Sequence, residues 1–275
     1  SSTVNGSGTF AIAGGTFSIL SGAGFTAPVS QKGGTLAIPT GITVSAVNYA
    51  LAGGTVSGEG TLNVTGALTW TSGTLGGTGK TTVAATGTLS ISSSAGKTLN
   101  TRTLEHNGTG TFTDSGTLTL SNGAVFSNKG TFTIQSDASW LNSGGTTPSV
   151  TNAAGATFIK NTTTGTTGIG AQFNNSGTLT ITSGSLALVG GGTLGGSVGG
   201  SGTLGIGGDT TSIAYTLSDG LTITATLAIS NGTTTINTGA NAAVTNLSMS
   251  GGVLDGAGTL TVSGSLTWSA GTMQG

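Results

Sequence analysis

The residues best placed by type and spacing to do chemistry lie in GTLGGTGKTT, 73–82. A glycine-rich turn closing on Gly-Lys-Thr can cradle phosphates with backbone N–H groups, while the lysine reaches further phosphate oxygens. The spacing does not support that reading. The pattern G-x-x-x-x-G-K-[ST] needs glycine five residues before Gly79, where Thr74 stands, and Gly73 is one residue too early. A phosphate loop also opens a helix whose N-terminus faces the anion, and the segment TTVAATGTLSISSSAG after Lys80 has no helical periodicity. Nucleotide binding is therefore not expected. Gly73–Gly77 reads as the strand and corner of a repeated coil, and Lys80 as an exposed turn residue.

The other reactive groups are sparse. The acids are Glu59, Glu105, Asp114, Asp137, Asp209, Asp219 and Asp255. Acid–base or metal-assisted cleavage of a polysaccharide needs several carboxylates converging on one face, and these stand mostly alone. The densest polar group is Arg102, Glu105, His106 and Asp114, which holds the only histidine and the only arginine. It is expected to be a solvated loop. Cysteine is absent, so there is no thiolate metal site and no disulfide, and no calcium-binding G-G-x-G-x-D nonapeptide occurs. No catalytic residue, metal site or cofactor is expected. The motif Asn-x-Ser/Thr occurs at Asn5, Asn63, Asn107, Asn161, Asn174, Asn231 and Asn246, each a glycosylation acceptor where the host has the machinery.

The elements that carry these residues follow from composition. Of 275 residues 54 are glycine, threonine and serine dominate the rest, and the net charge is −1. Helix formers are nearly missing while β-branched residues abound, which predicts an all-β protein. Collagen needs glycine at every third residue, which this chain lacks. The apolar share of 34% falls in regular short runs, against disorder. Near-neutral charge leaves no basic stripe for nucleic acid and no polybasic membrane patch. No run approaches the ~18 apolar residues of a membrane helix. The chain begins at Ser1 without methionine or a signal-like segment, as a mature product or a segment of something longer would.

A short word recurs: glycine, threonine, apolar, small or polar, apolar. It appears as GTFAI (8–12), GTFSI (15–19), GTLAI (34–38), GTLNV (60–64), GTLSI (87–91), GTLTL (116–120), GTFTI (130–134), GTLTI (177–181), GTLGI (202–206) and GTLTV (258–262). The alternation is that of a strand buried on one face, and glycine supplies the sharp turns. Each strand should be four or five residues long. Three strands make about 20 residues, the coil of a parallel β-helix lined by Leu, Ile, Val and Phe. A Greek-key sandwich would show longer strands and fewer repeated words. Trp70, Trp268 and Trp140 share the inward frame. Thr117/Thr119, Thr131/Thr133, Thr178/Thr180 and Thr259/Thr261 share the outward one, and resemble both ice-binding threonine ranks and any β-branched solvent face.

A longer repeat overlies the short one. GEGTLNVTGALTWTSGTLGG (58–77) matches GAGTLTVSGSLTWSAGTMQG (256–275) at 12 of 20 positions, an offset of 198 that makes 34–77 the counterpart of 232–275. The expected organisation is one continuous solenoid over 1–275. The first copy continues into KTTVAATGTLSI (80–91), and the opening SSTVNGSGTFAI (1–12) aligns with that continuation at Thr3, Val4, Gly8, Thr9 and Ile12, with Phe10 facing Leu89. The start of the chain thus resembles what should follow its end, and an uncapped solenoid edge is a template for another chain. The expected stacking surface is Thr3, Val4, Phe10 and Ile12 on one side and Leu260, Val262, Leu266, Trp268 and Met273 on the other. A window cut from one long repetitive chain accounts for the same pattern.

The words GTLTVSGSLTWSAGT and GTLTLSNGAVFSNKGTFTIQ resemble those of large secreted bacterial surface proteins: β-helical autotransporter passengers, filamentous-haemagglutinin-like adhesins and giant repeat proteins. That resemblance implies a right-handed parallel β-helix, export, and a role in adhesion, matrix or biofilm. The leading expectation is a structural, non-catalytic block of an extracellular fibre or cell-surface stalk. Its partners would be copies of itself head to tail, with lateral neighbours or glycans. The alternatives are the shaft of a giant adhesin, or a carbohydrate-active or ice-binding β-helix.

Overall fold

The computed structural model describes residues 3–20, 23–208 and 213–275. It is all β, with parallel coils of about 21 residues stacked as a β-solenoid and no helix among the described residues. Contacts gather the chain into two units, Ser1–Phe132 with Asn142–Pro148, and Thr133–Leu141 with Ser149–Gly275.

In both units the five-residue word becomes a four-residue strand. Thr61–Val64 and Thr178–Ile181 alternate outward threonine or asparagine with a buried aliphatic residue. Because each strand pairs in parallel with its equivalent in the next coil, like positions stack into columns. Apolar columns line the first unit, among them one that carries Ile12, Leu51, Trp70 and Ile91 with Gln31 and three others. The first of these three runs Val4, Phe25, Ala46, Val64, Val83, His106. A second runs Phe10, Val29, Tyr49, Leu68, Leu89, Gly110. The third runs Phe17, Leu36, Val56, Leu75, Leu99, Leu120. Beside the third column, six outward threonines stand in register: Thr16, Thr35, Thr55, Thr74, Thr98 and Thr119. In the second unit one column runs Phe158, Leu179, Val198, Ile223, Val244, Val262. Another runs Ile169, Leu188, Ile206, Ile229, Met249, Trp268.

Not every strand is as short as the word predicts. Val29–Ala37, Tyr49–Ser57 and Ala67–Leu75 are nine residues long and Asn241–Asp255 is fifteen. These strands run through a corner without losing their pairing, at the cost of register shifts such as Gln31/Lys32 and Lys32/Thr35. Gly34 and Gly54, at φ of 63° and 73°, supply the bend that an L-residue adopts only under strain.

A different demand fixes Gly66, Gly87, Gly108 and Gly130, which stand one above another at another corner. A Cβ on Gly108 would lie 2.1 Å from the Gly87 carbonyl oxygen, and one on Gly130 2.1 Å from that of Gly108. The chain turns here so tightly over the coil beneath that only a hydrogen fits.

Segments 198 residues apart share local geometry. Thr61–Val64 and Thr259–Val262 are equivalent strands. Gly73 and Gly271 have φ of 90° and 92°, and Gly54 and Gly252 have 73° and 71°. Trp70 Nε1 donates to the Gly73 carbonyl at 3.3 Å, as Trp268 Nε1 does to Gly271. Asn48 Oδ1 accepts the Ala67 N–H at 2.9 Å, as Asn246 Oδ1 accepts that of Ser265 at 3.1 Å.

Candidate functional site

The Arg102 cluster is not a solvated loop: Arg102, His106 and Asp114 are fully buried. The reason is a convergence of carbonyls at one inner corner. Arg102 Nη1 donates to Gly76 and Gly58 carbonyls at 2.9 and 3.2 Å, and Nη2 to Lys80 and Gly60 at 2.8 and 3.0 Å. Nε donates to Thr81 Oγ1 at 2.8 Å. A planar guanidinium spends all five donors, four on backbone carbonyls of the solenoid and one on a hydroxyl. Burial pushes its pKa down to about 10, which leaves it charged at neutral pH. Burial also pushes the Tyr49 hydroxyl up, and that hydroxyl donates to buried Gln31 Oε1.

Sequence reasoning missed two further buried cations. Lys97 and Asp114 form an ion pair with both side chains wholly inside. Lys160 is as deeply buried and meets Asp137 Oδ1 at 2.9 Å and Thr163 Oγ1 at 2.9 Å. Asp137 is held below the usual carboxylate range by its hydrogen bonds from Thr163 and Lys160. In the second unit Asn152 Nδ2 donates to Asn175 Oδ1 at 2.7 Å, and Asn175 Nδ2 to the Gly195 carbonyl at 2.6 Å. A signal existed for Lys97: in KTLN the period of two places it on the face of Leu99.

His106 ends the column of Val64 and Val83. Its Nε2 lies 3.2 Å from the Thr131 carbonyl, its ring meets Phe132 edge-on, and Nδ1 has no hydrogen-bond partner. Burial holds its pKa below 6.5, partly offset by the carbonyls of Thr131 and Gly108. The folded state therefore binds this proton less readily than the unfolded chain. Stability is complete above the unfolded value and falls as pH drops through it, levelling off below the depressed folded value. Urea midpoints at about pH 7.5 and about pH 5 should differ in the wild type, and the difference should shrink in His106→Leu.

Lys80 opens the strand Lys80–Val83 rather than a turn. Its half-exposed side chain lies 3.6 Å from Glu105, which also receives Lys129 at 2.8 Å. That ladder across three coils holds Glu105 below its ordinary pKa, the Lys129 hydrogen bond contributing most. Gly73 lies within the strand Ala67–Leu75 and Gly77 at its corner, so the glycines of the opening motif shape the coil. Glu59 accepts from Thr40. Asp219 lines an open groove with Thr193, Thr216 and Asn237. Asp255 accepts from the Gly256 N–H at 2.7 Å, and Asp209 lies outside the described residues. No group of three metal-ligating side chains occurs among the described residues.

Trp70 and Trp140 are core residues, each 0% exposed. Trp268 occupies the same inward register as Trp70 but is 54% exposed, and Leu266 is 51% exposed, because no described coil covers the face Thr259–Met273. Leu260, Val262 and Met273 are partly exposed there. Their counterparts Leu62, Val64, Leu68, Trp70 and Leu75 are all 0% exposed, covered by Lys80–Val83, Thr88–Ile91 and Lys97–Asn100. In the first unit, Thr3 and Phe17 are exposed, Val4 and Phe10 half-buried, and Ile12 buried. Val4, Phe10, Ile12 and Phe17 stand in the columns of Val83, Leu89, Ile91 and Leu99.

Among the glycosylation motifs, Asn5 is exposed, and Asn63, Asn107, Asn161, Asn174, Asn231 and Asn246 are half-buried. Asn107 and Asn231 donate their amides to the Val83 and Gly208 carbonyls at 2.9 and 2.7 Å.

The chain matches no protein-family model, no curated protein and no solved structure.

Proposed function

We propose that this β-solenoid is a structural, non-catalytic segment of an extracellular fibre or cell-surface stalk, and that copies of it stack head to tail. The carrying observation is the apolar face Thr259–Met273. Its residues are those of a coil buried in the first unit, and the coil that buries them there has the column order of 3–18. In the stacked register Thr3 lies over Thr261, Val4 over Val262, Phe10 over Leu266, Ile12 over Trp268 and Phe17 over Met273. Such a contact is heterologous and does not close, so it extends into a filament. Each added coil contributes a set of backbone hydrogen bonds and an apolar layer. The low net charge leaves little repulsion between neighbours.

Sedimentation of the folded chain should show growth with concentration. Trp268→Asp and Phe17→Asp should each sediment as monomers, with unchanged circular dichroism. A wild type that stays monomeric at high concentration overturns the stacking. The resemblance to giant secreted proteins favours a second reading, the shaft of a long adhesin. In that case the denatured native chain has a mass many times that of 1–275, and the face Thr259–Met273 is covered by its own continuation.

A further inference from the structure

Among the described residues the Lys97–Asp114 pair differs from the other ion pairs in having both side chains wholly buried. Its polar atoms are partnered unevenly. Asp114 Oδ1 accepts the Gly116 N–H at 2.8 Å, whereas Oδ2 receives no well-formed hydrogen bond and lies in contact with Lys97 Nζ. Nζ donates to the Ala95 carbonyl at 2.7 Å and more weakly to Ser93 Oγ at 3.3 Å. Lys97 begins a strand of one coil. Asp114 lies in the turn before Leu118–Ser121, the strand of the next coil that pairs with it.

We propose that Lys97 and Asp114 condense into an intramolecular isopeptide bond that ties these two coils together covalently. The step needs no co-reactant. One proton passes from the ammonium to the carboxylate, and the freed Nζ lone pair attacks Asp114 Cγ. The Nζ–Cγ bond forms, the Cγ–Oδ2 bond breaks, and Oδ2 departs as water with two of the three ammonium hydrogens. The third hydrogen stays on the amide nitrogen, and nothing is oxidised or reduced. The site favours the product. Two buried charges, costly to keep from water, become one neutral amide. Its carbonyl oxygen is the atom already bonded to Gly116, its N–H has the Ala95 carbonyl in place, and the departing oxygen is the one that meets only the attacking lysine. The fixed contact supplies the proximity that intramolecular acyl transfer requires. The inference stands on the fold and is independent of head-to-tail stacking.

The test is the intact mass of the purified, folded and then denatured full chain. The expected mass is that of the sequence less one water, and digestion should yield a branched peptide joining Lys97 to Asp114. Lys97→Arg should restore the full mass. Should that variant not fold, the branched peptide from the wild type still decides. A wild type at full sequence mass, with the Lys97 amine free to react after denaturation, overturns the proposal. So does a water loss that persists in Lys97→Arg, since Asp219-Gly220 and Asp255-Gly256 can each lose water as a succinimide.

Discussion

Replacing Arg102 by methionine should destabilise the first unit by about 3 kcal/mol or more, the scale of buried acceptors losing charge-assisted hydrogen bonds. Methionine fills much of the volume but donates nothing. The Thr81 hydroxyl and the carbonyls of Gly58, Gly60, Gly76 and Lys80 would lose a shared donor in a place water does not reach. Arg102→Lys should recover only part of the loss, because an ammonium is a point donor with three N–H groups and cannot serve five acceptors. The measurement is urea unfolding joined to amide exchange. Stability in a stacked array is nearly a sum of local terms, so protection should fall first in 58–83 and 97–106. Unchanged exchange there would show that the carbonyls had found other donors and that the arginine is dispensable.

Gly108→Ala should be as damaging by a different route. Its new Cβ would stand 2.1 Å from one backbone oxygen, that of Gly87, and 2.8 Å from the carbonyl oxygen of Ala84. Backbone atoms of a coil already paired above and below cannot retreat by the required ångström without breaking the ladder. A loss of several kcal/mol is expected, in the range that marks a specific steric cause. Gly96→Ala is the matched control: nothing lies within 4 Å of its Cβ position and its φ is unremarkable. It should be neutral or stabilising by up to about 1 kcal/mol through the unfolded chain. Thermal unfolding of the two variants side by side separates them, and equal behaviour would refute the close-approach account of the glycine column.

The solenoid was legible because its determinants are local. Period-two alternation and a glycine every six or seven residues specify short strands and corners, as in Thr178–Ile181, and equal coil lengths then align like with like. Longer strands through the corners escaped the reading, since Lys32–Thr35 looks like a turn and only the neighbouring coil shows that pairing continues. The interior polar cluster escaped for a related reason. Arg102 and Asp114 lie in polar words that read as solvent-facing, and the carbonyls that draw Arg102 inward come from residues 22 to 44 positions earlier. His106 occupies an inward position by alternation with Leu104, but its type argued for the outside. The face Thr259–Met273 and the strands of 3–18 repeat words found elsewhere in the chain, and parallel pairing sets the columns in which their residues stand.

Most contacts of a stacked coil are with the coil directly above or below it, so a solenoid pulled along its stacking direction peels turn by turn under nearly constant load. Arg102 breaks that rule in the first unit by reaching past its neighbour to Gly58 and Gly60, two turns away. A coil peeling toward it cannot leave alone, because the guanidinium must release three layers together. Under tension this position should act as a rivet, and a force–extension trace of the first unit should show one tall step where the rest of the record is a low staircase.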